Sequence, residues 1–135
     1  MTEKKLNRKI FHYLKNTEAN VFTEIPFLSR IIDIVVLKED GIYSYELKLQ
    51  NWKKAIEQLK DQRIGSNYSI LCMPNENMSY NVQQKIISEL SFYGFGFELW
   101  DQKNHKLIKV LKPKPNKLIN RTLSKKLETN LNQFQ

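Results

Sequence analysis

The stretch IIDIVVLKEDGIYSYELKL, residues 31 to 49, decides how this chain is built. Its two halves, IIDIVVLK and IYSYELKL, are rich in the β-branched and aromatic residues that favour strands. Between them stands KEDG, whose Asp40–Gly41 pair suits a tight turn needing positive φ. The segment therefore predicts a β-hairpin. A strand turns alternate side chains to opposite faces, so Ile42, Ser44, Glu46 and Lys48 share one face. Whether Asp33 joins them depends on the parity of the turn. A two-residue Asp40–Gly41 turn pairs Glu39 with Ile42, sets Asp33 opposite Lys48 and makes Glu46 its diagonal neighbour. A turn centred one residue earlier pairs Asp33 directly with Glu46. Either register gathers Asp33, Glu46 and Lys48 on one face, and an odd-length turn splits them. The other face then collects Ile32, Ile34, Val36, Tyr43, Tyr45, Leu47 and Leu49, an apolar set that a one-residue slip would scramble.

Working outward, EKKLNRKIFHYLK (3–15) spaces Leu6, Ile10 and Leu14 by four, the stripe of an amphipathic helix with basic residues around it. VFTEIPFL (21–28) is rich in strand formers, and Pro26 marks it as an edge strand or a bend. After the hairpin, Asn51 is placed to cap a helix whose Trp52, Ala55, Ile56 and Leu59 form one stripe. NYSILCMP (67–74) reads as a buried strand halted by Pro74. A helix over 79–93 sets Val82, Ile86, Leu90 and Tyr93 on one face, with Gly94 to end it. GFELW (96–100) and KLIKVL (106–111) read as two last strands. The order α-β-β-β-α-β-α-β-β predicts an α/β fold with a mixed β-sheet flanked by helices. PKPN (113–116) is a stiff break, so residues 1–111 are expected to form the domain and 112–135 a basic tail with weak helical periodicity.

Charge narrows the partners. The chain of 135 residues carries 22 Lys and Arg against 14 Asp and Glu, a net +8 with a pI near 9.5. Residues 112–135 contain six basic residues against Glu128 alone, and so hold most of that surplus. Such concentration favours a polyanionic partner, above all nucleic acid. Lys114, Lys117, Arg121, Lys125 and Lys126 are the expected phosphate contacts. No apolar run approaches the roughly 18 residues needed to cross a bilayer, and no secretory signal is recognised, so no membrane association is expected. The single Cys72, in the apolar run ILCM, reads as a buried thiol in a reducing cytoplasm. His12 and His105 are isolated, and no Cys/His metal cluster or Gly-rich phosphate loop is present.

Two carboxylates at neighbouring strand positions can share a hard divalent cation, which prefers oxygen ligands and lets water fill the rest of its shell. Such a cation lowers the pKa of bound water and neutralises charge on a phosphoryl oxygen. A lysine alongside can orient or deprotonate that water, or stabilise the transition state. Asp33, Glu46 and Lys48 thus make a minimal phosphodiester hydrolysis site.

Asp33, a hairpin, then Glu46-Leu47-Lys48, then a helix carrying Gln58, resembles the PD-(D/E)xK nuclease superfamily of restriction endonucleases, Holliday-junction resolvases and RecB-type nuclease domains. The likeness runs over roughly residues 3 to 74 and leaves the tail unmatched. It implies a restriction-endonuclease-like fold and a nuclease, a DNA endonuclease in preference to an RNA one, using Mg²⁺ or Mn²⁺. Asp33 and Glu46 would bind the metal, Lys48 would act on the water and Gln58 would support the site. An upstream acid is usual in the superfamily, and Glu24 is preferred for it over Glu18. Duplex cleavage by such a site commonly uses two subunits, so a homodimer is a further expectation. The sequence departs from the pattern at Ile32, where the name-giving proline would stand, and at Gln62, where RecB-type domains often have tyrosine. Competing readings are a catalytically inactive nucleic-acid-binding module of the same fold, and a protein-interaction or regulatory domain.

Overall fold

Thr2 accepts the Lys5 N–H at 3.1 Å and caps helix α1 (Glu3–Thr17), which turns Leu6, Ile10 and Leu14 inward. The computed structural model describes residues 1–18 and 20–134. Strands β1 (Asn20–Phe27), β2 (Arg30–Lys38) and β3 (Gly41–Leu47) follow as an antiparallel meander. Helix α2 (Trp52–Gln62) then crosses over to β4 (Tyr68–Pro74), and α3 (Tyr80–Tyr93) crosses to β5 (Gly96–Asp101). Strand β6 (Lys106–Leu111) pairs antiparallel with β5, and helix α4 (Arg121–Asn132) closes the chain. The six strands form one sheet in chain order, with β3, β4 and β5 parallel. The fold is mixed α/β, a six-stranded mixed sheet flanked by helices, in the order expected with one helix added.

Both crossovers step the same way along the sheet, so α2 and α3 cover one face. There Ala55, Ile56, Leu59, Ile86 and Leu90 pack on Leu71, Met73, Phe97 and Leu99. On the other face α1 packs Leu6, Ile10 and Leu14 against Ile34, Val36, Tyr45, Leu47 and Cys72. A third cluster joins Leu127 and Leu131 of α4 to Phe22, Ile25, Phe27, Ile32 and Val35. The basic C-terminal segment is thus fastened to the sheet. Asn116 bonds through Nδ2 to the Ser66 carbonyl at 2.9 Å and to Ser69 Oγ at 3.0 Å, and the Asn120 N–H reaches the Ile64 carbonyl at 2.7 Å.

Three local expectations change. The turn is Glu39–Asp40, with Lys38 paired to Gly41 and Ile34 to Tyr45, which is the second of the two registers. Gly41 sits at φ +131°, where a side chain would also strike Asn67, and this fixes glycine after the turn. Asn51 makes no side-chain cap; it takes the left-handed conformation at φ 55° and its carbonyl accepts the Lys54 N–H at 3.1 Å. Ile32 lies with Phe22 and Val35 rather than with Ile34. The reason is a break in strand regularity at Glu24, whose φ is 53°. Pairs Thr23–Ile34 and Ile25–Ile32 flank that break, and both strands change facing across it.

Candidate functional site

The break at Glu24 sets Asp33 free of the sheet ladder. Its carbonyl is held by Asn7 Nδ2 at 3.3 Å and Thr23 Oγ at 3.2 Å, which ties α1 and β1 to this point. Its carboxylate turns to β3, where Oδ2 accepts the Leu47 N–H at 2.9 Å, two residues past the last β2–β3 pair. Glu46 stands beside it, 3% exposed, on the sheet face that α2 covers. Each carboxyl group acts on the other's proton equilibrium. Burial, reinforced by the Asp33 charge, pushes the Glu46 carboxyl up to about 9. Burial also raises Asp33, but the Leu47 N–H, the neighbouring Glu46 and the Lys48 charge oppose it. At neutral pH the proton of the pair therefore resides on Glu46.

Lys48 leaves the strand end with its N–H on the Cys72 carbonyl at 3.1 Å. Its charge lowers both carboxyl groups, and its Nζ lies 3.9 Å from Glu3 Oε1. Glu3 in turn accepts the Leu49 N–H at 3.4 Å through its other oxygen. Asp33, Glu46, Lys48, Gln58 and Glu24 all line one cavity of about 380 Å³. The structure thus gathers every residue expected at the centre of the site.

Their roles differ from one another. Gln62, one turn beyond Gln58, donates from Nε2 to Glu46 Oε2 at 3.1 Å. Gln58 lines the same cavity, and its Oε1, like Gln62 Oε1, is buried with no hydrogen-bond partner among the described residues. Glu24 is exposed on the cavity rim, and among the described residues no three His, Cys, Asp or Glu side chains converge on a common metal position. The expected ligand trio of Asp33, Glu46 and Glu24 therefore reduces to the Asp33–Glu46 pair. Glu18, the alternative acid, pairs with Lys38 at 3.3 Å and lines a different cavity. Lys114, Lys117, Arg121, Lys125 and Lys126 are all exposed, and none lines the carboxylate cavity.

Sequence reasoning missed Gln62, Glu3 and Asn7 as site residues. Gln62 had a signal, because it continues the Ala55–Leu59 stripe into the interior as a polar residue. Glu3 and Asn7 had none, since only the docking of α1 brings them to the strand ends.

No protein-family model matches the chain, and no curated protein matches it. The structure is similar to that of a protein of unknown function from Silicibacter pomeroyi, with a TM-score of 0.71 at 14% identity, over 98% of this chain and 86% of that one. That likeness concerns the fold alone. No helix among the described residues is long and apolar enough to cross a membrane.

Proposed function

We propose that the Asp33–Glu46–Lys48 cavity is the site of a divalent-metal-dependent phosphodiesterase, a DNA endonuclease of the PD-(D/E)xK kind. One observation carries this reading. The buried Glu46 carboxyl and the half-buried Asp33 carboxyl stand side by side next to a lysine and an amide oxygen without a partner among the described residues, at one cavity open to solvent. Enclosing two neighbouring carboxyl groups is costly even with a lysine nearby, and an apolar pair would fill the same space without that cost. The donors are all oxygen, which fits Mg²⁺ or Mn²⁺, ions that commonly take one or two carboxylates and keep several waters. Asp33 and Glu46 would hold such an ion, with Gln58 lining the same cavity. When bound it would supply a nucleophilic water at neutral pH and neutralise charge on the scissile phosphate. Lys48 orients that water and meets the developing phosphoryl charge. Gln62 fixes the Glu46 rotamer from α2, and the Leu47 N–H fixes Asp33.

The exposed basic residues and the net charge of +8 support a polyanionic substrate. The test is cleavage of a panel of duplex, junction, flap and single-stranded DNA and of RNA, with Mg²⁺ and Mn²⁺. Metal-dependent cleavage of DNA that Glu46→Ala and Lys48→Ala both abolish is the expected result. No cleavage of any member, with DNA binding unchanged in both variants, overturns it. A second reading, a nucleic-acid-binding module without catalysis, is favoured by one feature: among the described residues no third acid converges with the pair on a metal position.

A further inference from the structure

Helix α1 covers only part of its sheet face, and at the far end of β3, β4 and β5 a second hollow of about 470 Å³ is lined by no helical residue. Its floor holds Glu98, a carboxyl 4% exposed that makes no hydrogen bond or ion pair among the described residues. Tyr43 and Tyr68 line the hollow and stack on each other at 4.4 Å, 18° from parallel, while Tyr45 is buried beside them. Lys38 and Lys109 stand at the same hollow, Lys38 held 4.5 Å over the Tyr43 ring and paired with Glu18 at 3.3 Å, while Asp40 at the rim accepts the Tyr43 hydroxyl at 2.7 Å. None of these groups takes part in the carboxylate site, and Glu46 faces the opposite side of the sheet.

The combination is selective. A plain polyanion meets the buried Glu98, and a plain organic cation meets the lysines. A ligand that satisfies both offers hydrogen-bond donors at one end, a flat body and a negative charge at the other. We propose that this hollow is a nucleotide site in which Glu98 reads a guanine base and Lys38 and Lys109 hold its phosphate. An ionised carboxylate has only acceptors, so it suits a base edge with two adjacent N–H donors. Guanine presents its ring N–H beside its amino group, whereas adenine and cytosine place an acceptor beside theirs. The tyrosine pair supplies the planar surface on which bases stack. Burial pushes the Glu98 carboxyl up to about 7, against the lowering influence of Lys109 and Lys38, as expected of a carboxyl lacking its partner. The inference does not depend on the metal or on cleavage.

Calorimetry of the full chain with GMP, AMP, CMP and UMP, without divalent metal, tests it. GMP is expected to bind at least tenfold tighter than the other three. Glu98→Gln is expected to erase that preference while the protein keeps its circular dichroism. Should that variant fail to fold, Lys109→Ala serves instead, weakening GMP severalfold and leaving guanosine unchanged. Short single strands with an internal or terminal guanine separate the sources. Tighter binding than GMP assigns the site to a strand, and weaker binding assigns it to the free nucleotide. Equal affinity for all four nucleotides, or no binding at millimolar concentration, overturns the proposal, as does a folded Glu98→Gln protein that still prefers GMP.

Discussion

Gln62 Nε2 donates to Glu46 Oε2 at 3.1 Å, and this bond from α2 to β3 fixes the orientation of a carboxyl that burial keeps protonated. Glu46 has its neighbour Asp33 on one side and Gln62 on the other, with almost no contact to water. A carboxyl so enclosed makes the stability of the whole domain depend on pH.

The sign follows from the proton count. Folding lifts the Glu46 carboxyl from 4.5 to about 9, so between those values the folded chain binds more protons than the unfolded one. Stability is then highest below the lower value and falls as pH rises towards the upper. Glu98 adds a decline of the same sign that ends near 7, which leaves the interval from 7 to 9 to the Asp33–Glu46 pair. In urea titrations Glu46→Gln is expected to exceed the parent by about 1–4 kcal/mol at the upper end of that interval. It is also expected to lose the decline. Parallel slopes in parent and variant would show that the proton sits elsewhere.

Gln58 offers a sharper contrast between stability and function. Its buried Oε1 has no partner among the described residues, a condition that costs about 1–3 kcal/mol. Gln58→Leu removes that acceptor, so it is expected to raise the melting temperature while weakening Mn²⁺ binding about tenfold. The opposite pattern, lower stability with unchanged Mn²⁺ affinity, would make Gln58 an ordinary helix residue.

The hairpin shows what sequence alone can and cannot say. Alternation in IYSYELKL placed Glu46 and Lys48 together, and the apolar set on the reverse face limited the turn to two registers. Choosing between them needed the left-handed tolerance of Gly41, which fits either position next to a turn. The facing of Ile32 was hidden for a different reason. A glutamate at positive φ interrupts β1, and nothing in VFTEIPFL distinguishes Glu24 from an ordinary strand residue. Similarly, Leu127 and Leu131 are spaced for a helix, but the basic residues around them disguised a segment that docks on β1 as a tail.

That docking separates two kinds of residue within α4. Leu127 is fully buried among Phe22, Ile25 and Val35, so Leu127→Ala is expected to cost about 2–5 kcal/mol in denaturant titrations. Lys125 and Lys126 are exposed on the same helix. Replacing both by Ala is expected to leave stability within about 0.5 kcal/mol. On duplex DNA the slope of log affinity against log salt should fall by about 0.9 for each phosphate contact removed. An unchanged slope would take α4 out of the nucleic-acid surface and leave it a structural helix.

Metal binding and the Glu46 proton compete for the same oxygens. A cation held by Asp33 and Glu46 requires both to be ionised, and at neutral pH Glu46 still carries its proton. Affinity for Mn²⁺ should therefore rise close to tenfold per pH unit below the upper value, with about one proton released for each ion bound. Calorimetry at one pH in two buffers of different ionisation heat counts that proton directly. Glu46→Gln has no such proton to lose, so its residual Mn²⁺ binding should be weak and release none. If the parent binds Mn²⁺ tightly without releasing a proton, the ion is not displacing the Glu46 hydrogen, and the oxygens that hold it lie outside this pair.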